Sequence, residues 1–371
     1  TQSRSSAASD VYKRQGANNV RIGQNAGDSI QANGIQNVCI GDDAGTTIST
    51  GVNNIAIGFR AGDAISTGEN NIAIGKNALS AEDTHDFNIA IGSNALAVQN
   101  AGADTYNIAI GHNAGTLVTT GIKNNLIGGL AGDALTEGNR NVAVGTQALS
   151  SDTKGSRSTA IGQGALFTQN FTSATETYNT AVGYEAGVAV TTGIANTLIG
   201  GVAGDSLTTG TRNVAVGVSA LQNDQIGSKS VALGTRALTT QRAVSVTDMF
   251  NVAVGEDAGL EITTGVQNII IGGLAGDALT TGSQNVVVGY QALSADDLGS
   301  HNVAIGANAL SDMNFASSTD SYNVAVGSSA GLRVTTGVQN TLIGGLCGDA
   351  LTTGFSNTAL GYFALSSDTL G

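Results

Sequence analysis

The chain has 371 residues, a formal net charge of −13, 53 glycines, no proline or tryptophan, and 41% hydrophobic against 12% charged residues. Glycine without proline or a three-residue period excludes collagen, and a regularly patterned apolar content excludes disorder. The acidic balance disfavours nucleic acid and anionic membranes as partners, and no apolar run approaches the roughly 20 residues of a membrane-spanning helix.

Taken in chain order, residues 1–15 stand apart. The stretch Asp10 to Gln15, DVYKRQ, resembles a translated transposase sequencing adapter, so this segment is expected to be non-native or unstructured and is set aside from the fold. From Gly16 to Gly371 the sequence repeats itself. A glycine preceded by Ile, Val or Leu recurs twenty times, at Gly23, Gly41, Gly58, Gly75 and on to Gly361. The usual step is 17 residues; from Gly162, Gly234 and Gly306 it is 21, so three short steps and one long one make a super-repeat of 72. Repeats begin directly after residue 15 and stop inside a copy at SSDTLG, which predicts a solenoid truncated at both ends.

Within a copy, Asn-Val-Ala-Ile-Gly at Asn302 to Gly306 alternates large and small apolar residues, the period of a strand. Asn at the strand start and Gly at its end are turn residues. A unit this short cannot bury its own apolar face and must stack on its neighbours. The pattern therefore predicts an all-β chain: a parallel β-solenoid of about twenty rungs over residues 16–371. A helical solenoid would need a 3.6-residue period and fewer glycines. Stacking places Asn over Asn, and Asn124, Asn196, Asn268 and Asn340 are expected to form part of a side-chain ladder. Val303 and Ile305 are expected to face the core and Ala304 to face outward. In the copies that read NNLIGG, NTLIGG or NIIIGG, the outward position becomes Leu126, Leu198, Ile270 or Leu342. Such a row suggests burial against another chain; the alternative is a local rotation of these rungs or packing beneath a turn.

Candidate chemistry is sparse. The GGLAGDAL words approach a calcium-binding nonapeptide, but the spacing is GGxxGD and tandem nine-residue repetition is missing. Asp133, Asp205, Asp277 and Asp349 fall four rungs apart, about 19 Å, too far to share an ion, and are read as turn acceptors. No metal, cofactor or catalytic residue is expected. Cys39 and Cys347 stand at positions usually held by Ala and are read as small apolar fillers. The long rung of each super-repeat carries a variable loop that ends in Tyr or Phe just before the next Asn. Gln99, Phe171, Arg242, Asp248, Asn314 and Phe315 in these loops are candidate receptor contacts; unconstrained drift is the competing explanation.

The units Asn302 to Leu310 and Asn54 to Gly62 resemble the NSVAIGxxA repeats of YadA-like trimeric autotransporter heads, and equally the repeats of bacteriophage tail fibres and spikes. That resemblance implies a left-handed β-roll, a homotrimer, and a place outside the cell, on a virion tail or a bacterial surface. The expected function is a non-enzymatic fibre or adhesin segment, with a cell-surface glycan or protein as receptor and no membrane insertion in this stretch. A polysaccharide-processing β-solenoid enzyme is the alternative from another class, and an ice-binding solenoid a third.

Overall fold

A computed structural model describes residues 18–370; the expectation for residues 1–15 lies outside them. The chain divides into two compact units, Thr1–Asn179 and Thr180–Gly371. The described residues of each form a β-solenoid built from the same coil, about twenty turns in all, with no helix among them. The first unit contains nine three-residue strands and the second eleven.

Stacking is parallel and in register. In the first unit Ile55 pairs with Ile72 and Ile72 with Ile89; in the second Val286 pairs with Val303 and Val303 with Val324. Residues at the same place in successive copies thus lie directly over one another. The Asn ladder is present as expected, and it is anchored to backbone as well as to side chains. Asn124 accepts the backbone N–H of Asn141 on Oδ1 at 3.0 Å and donates from Nδ2 to the carbonyl of Gly138 at 2.9 Å. Asn196 does the same toward Asn213 and Gly210, Asn268 toward Asn285 and Gly282, and Asn340 toward Asn357 and Gly354. All four are buried. A primary amide suits this place because it is both acceptor and donor, and a buried polar group without partners would cost about 1–3 kcal/mol.

The strand-ending glycine is required by backbone geometry. Gly128 has φ of +137°, and a Cβ there would stand 2.4 Å from the carbonyl oxygen of Gly145 in the next coil. No L side chain fits that approach.

The strand faces are the reverse of what alternation suggested. Ala304 is fully buried while Ile305 is exposed, and in coil after coil the middle residue points inward and its two larger neighbours outward. Leu126, Leu198, Ile270 and Leu342 are consequently core residues, not an outward row. The interior of so short a coil is narrow, and Ala from the strand faces a second buried Ala three residues beyond the glycine, such as Ala309. Leucines enter where a glycine makes room, and Val287 is the one larger residue at this place in a coil that keeps its leucine, Leu293. A Cβ on Gly132 would meet Leu126 at 2.8 Å, and Gly204 and Gly348 leave the same space for Leu198 and Leu342. Arg21 takes this inward position in the first described strand, where its guanidinium bonds the Ala26 carbonyl and Asp28.

Candidate functional site

Four residues after each strand-ending glycine stands either a glycine or a leucine; seven residues after it stands Leu, Ile or Val where the first was glycine, and Asp, Glu, Gln or Met where it was leucine. Where Gly132 leaves space, Leu135 fills the core; where Leu149 fills it, the later position is Asp152. In each super-repeat two successive coils have this second arrangement, and seven residues after the glycine each of them puts a further side chain into the interior, polar in every case but Met313. These residues are Glu82 and Gln99, Asp152 and Gln169, Asp224 and Gln241, and finally Asp296 and Met313, all buried.

In the first three cases the carboxamide bonds the carboxylate. Gln99 donates to Glu82 at 3.0 Å, Gln169 to Asp152 at 2.6 Å and Gln241 to Asp224 at 2.6 Å. The same nitrogen also reaches a hydroxyl, that of Thr105, Ser158 or Ser230. The Gln oxygen accepts from Asn107, Asn179 or Asn251. Ser158 and Ser230 are the two departures from Asn in the ladder, and this network accounts for them. Burial pushes the Asp152 carboxyl up, and the bonds from Gln169 and the Phe171 and Gly155 amides pull it back. Asp296 lacks the carboxamide: one oxygen takes the Gly299 amide, the other has no partner, and burial pushes its carboxyl up to about 6.

The sequence-selected loop residues therefore separate. Gln99, Phe171 and Phe315 are buried and are not available as receptor contacts, whereas Arg242, Asp248 and Asn314 are exposed. Gln99 belongs to the buried network, and Phe171 and Phe315 close the core beneath the loop. Arg242 lines an open polar groove with Ser206, Asn223, Gln225, Thr240 and Thr263.

Asp248 belongs to a surface arrangement that recurs at the end of each long loop. A short extra pairing sets Glu176 beside Ser156, Asp248 beside Ser228 and Asp320 beside Ser300. Each acid thereby meets the residue following that serine: Arg157 with Glu176 at 2.8 Å, Lys229 with Asp248 at 2.6 Å, and His301 with Asp320 at 3.2 Å. The aromatic residue two places after the acid lies against the same partner. Arg157 stands 5.4 Å from the Tyr178 ring, Lys229 stands 5.0 Å from the Phe250 ring, and His301 stacks on Tyr322 at 4.8 Å. In the earliest copy Phe87 and Tyr106 stack at 5.1 Å. The Tyr178 hydroxyl donates to Glu176, and this bond, with Arg157 beyond it, holds the Glu176 carboxyl below the usual range. Tyr106, Tyr178, Phe250 and Tyr322 are all exposed. The later three clusters each set an exposed ring beside an acid and its Arg, Lys or His partner.

Among the described residues one group could converge on an ion: Glu82, Asp83 and His85, whose ligand atoms lie within 4.8 Å of one another. Glu82 is already engaged by Gln99 and by His85 Nδ1 at 2.8 Å. Of the aspartates in the GGLAGDAL words, Asp133 accepts the Ser150 hydroxyl at 2.5 Å and Asp205 accepts from Ser206 and Gln222, so these two take side-chain donors, while one oxygen each of Asp277 and Asp349 is buried without a partner. Both cysteines are buried and reduced. No described helix is long and apolar enough to cross a membrane.

Fold and site together define a class, a parallel β-solenoid with periodic aromatic and charged surface clusters. The chain matches no family model, no curated protein and no solved structure.

Proposed function

We propose that this chain is a non-enzymatic segment of a fibre or adhesin, a homotrimer displayed on a virion tail or bacterial surface that engages a cell-surface receptor through its coil surfaces. The observation that carries this reading is the outward face of the stacked strands. In the first unit Ile55, Ile57, Ile72, Ile74, Ile89 and Ile91 occupy it in three consecutive coils, without a charge among them and without full burial. The second unit has Val286, Val288, Val303 and Ile305 in the same places. Parallel sheets are ordinarily covered on both faces and then read as Val/Ile runs. A continuous aliphatic face left open marks an interaction surface. A second copy brings a face of the same width, rise and chemistry, and association would bury both. Periodic aromatic–charge clusters beside such a shaft suit repeated weak contacts strengthened by multivalency.

Sedimentation equilibrium of the purified chain tests this. A species of three chain masses is expected, and Ile57→Glu with Ile74→Glu should convert it to monomer while circular dichroism stays that of folded β structure. A wild-type chain that remains monomeric at tens of micromolar overturns the reading.

A further inference from the structure

The residue just before each ladder position, usually Asn, stands on the surface with positive φ, for example Lys123 (61°), Arg140 (57°), Arg157 (65°) and Tyr178 (51°). Backbone bonds to the previous coil hold it there: Lys123 N–H to Thr105 at 2.7 Å, Arg140 to Ile122 and Arg157 to Asn139 at 3.0 Å. Residues in this column therefore lie one above another at the coil rise of about 4.8 Å. Twelve Lys and Arg occur among residues 18–370, and five of them, Lys123, Arg140, Arg157, Arg212 and Lys229, fall in this one column of the coil. The protein is otherwise acidic, with a net charge of −13.

In the first unit the cations occupy three consecutive coils, Lys123, Arg140 and Arg157, and the next coil supplies Tyr178. Arg157 is paired with Glu176; Lys123 and Arg140 are exposed and form no salt bridge among the described residues. The second unit has a shorter version, exposed Arg212, then Lys229, then Phe250. The coil does not require a cation here, because Asn53, Ala195, Gln267 and Ser356 take the same place with the same backbone. Stacking like charges about 4.8 Å apart costs roughly 1 kcal/mol per neighbouring pair even in water. Glu176 and Asp248 pair with Arg157 and Lys229, and the remaining charges of Lys123, Arg140 and Arg212, which folding does not need, are explained by something anionic laid along them.

We infer that the Lys123–Arg140–Arg157–Tyr178 stripe, and its shorter counterpart at Arg212–Lys229–Phe250, bind a linear acidic polysaccharide, with sulfate or carboxylate groups on the cations and a sugar ring on the aromatic face. Guanidinium groups match the two oxygens of a carboxylate or sulfate. Tyr178 offers an exposed ring whose orientation is held by Arg157 and Glu176. The phosphates of a nucleic-acid strand, about 3.4 Å apart along the axis, are out of step with the coil rise. The inference rests on the reading of the chain as a receptor-contacting surface segment, and it names the receptor chemistry and its place.

The test is calorimetric titration of the full chain with a heparin hexasaccharide and a hexagalacturonate, with maltohexaose and an oligo-dT of equal length as comparators. At least one acidic oligosaccharide should bind, its affinity should fall as salt is raised, and maltohexaose and oligo-dT should bind at least tenfold more weakly. The variant Lys123→Gln/Arg140→Gln, which uses a residue the column already holds at Gln267, should lose about tenfold in affinity with its thermal midpoint unchanged. Absence of acidic-oligosaccharide binding at millimolar concentration, equal binding of maltohexaose or oligo-dT, or an unchanged affinity in the variant would each overturn it. Sedimentation of the same samples separates the two readings: a trimer that ignores acidic sugars refutes the stripe alone, and a monomer that binds them refutes the assembly alone.

Discussion

Gln169 donates its side-chain amide to Asp152 across 2.6 Å, with both side chains buried inside the first unit. The same exchange occurs between Gln241 and Asp224 in the second unit, but one super-repeat later Met313 stands where Gln would be. Asp296 is then left with one oxygen unpaired, and the solenoid contains its own natural deletion of a single hydrogen bond.

Restoring that donor should stabilise the second unit. The Asp296 carboxyl is raised from 3.8 to about 6, so the folded state binds its proton more tightly than the unfolded chain does. Its charged form therefore costs stability fully above pH 6, and the cost fades as pH falls toward 4. A rise of this size corresponds to roughly 3 kcal/mol. Met313→Gln is expected to raise the thermal midpoint at pH 7.5 by several degrees, and Asp296→Asn to flatten the dependence between pH 4 and 7. Midpoints followed across that range check both; a Met313→Gln chain no more stable than wild type at pH 7.5 contradicts the assignment.

The reverse substitution should create the same defect elsewhere. Gln169→Met removes the donor to Asp152 and leaves a buried carboxylate short of one bond, a cost of about 1–3 kcal/mol. Its midpoint should drop at pH 7.5 and recover on acidification, as the already raised Asp152 carboxyl becomes protonated. A loss of stability that does not depend on pH would point to packing instead.

Leu126 and Ile127 are adjacent and do opposite work. Leu126 is enclosed and Ile127 is 38% exposed. Leu126→Ala should cost about 2–5 kcal/mol through the cavity it leaves, while sedimentation behaviour of the folded fraction stays the same. Ile127→Ser, on the outward face, should instead weaken the assembly seen in sedimentation while costing the fold of the single chain far less than Leu126→Ala does. If Leu126→Ala were neutral in chemical denaturation, the inward assignment would fail.

The GG doublets hold one demanding glycine and one permissive one. A Cβ on Gly128 meets the next coil's backbone at 2.4 Å, whereas one on Gly129 meets nothing within 4 Å. Gly128→Ala should destabilise by more than about 3 kcal/mol, the scale of strained backbone added to a steric clash. Gly129→Ala should fall within about 0.5 kcal/mol of wild type. Denaturation of the two variants side by side makes the comparison.

The thiols should be inert in the folded chain. Cys39 is buried and its thiol is pushed up to about 12, the effect of burial outweighing the nearby Arg21. Cys347 is also buried and raised. Since the thiolate is the reactive form, a chromogenic disulfide reagent at pH 8 should report no reaction until denaturant is added, then two thiols per chain. Rapid reaction without denaturant would show that these coils open.

By itself the sequence determined the coil. Its 17-residue period, the paired identities such as Ile55 with Ile72, and the Asn ladder through Asn124 and Asn268 all follow from repetition, because in-register stacking sets each residue on its own repeat. Period-two alternation says which residues share a face, and it is silent on which face lies inside. Only the tertiary structure decided that Leu126, Leu198, Ile270 and Leu342 face inward, because the narrow interior accepts Ala generally and takes these four larger chains in coils where a glycine stands in place of leucine. The same holds for Gln99, Gln169 and Gln241, polar residues on variable loops that read as surface. The exchange of Gly and Leu four residues past the strand was a signal in the sequence, since a core position filled once need not be filled again seven residues on. What fills the vacated place, a carboxylate and the amide that satisfies it, depends on two coils meeting in space.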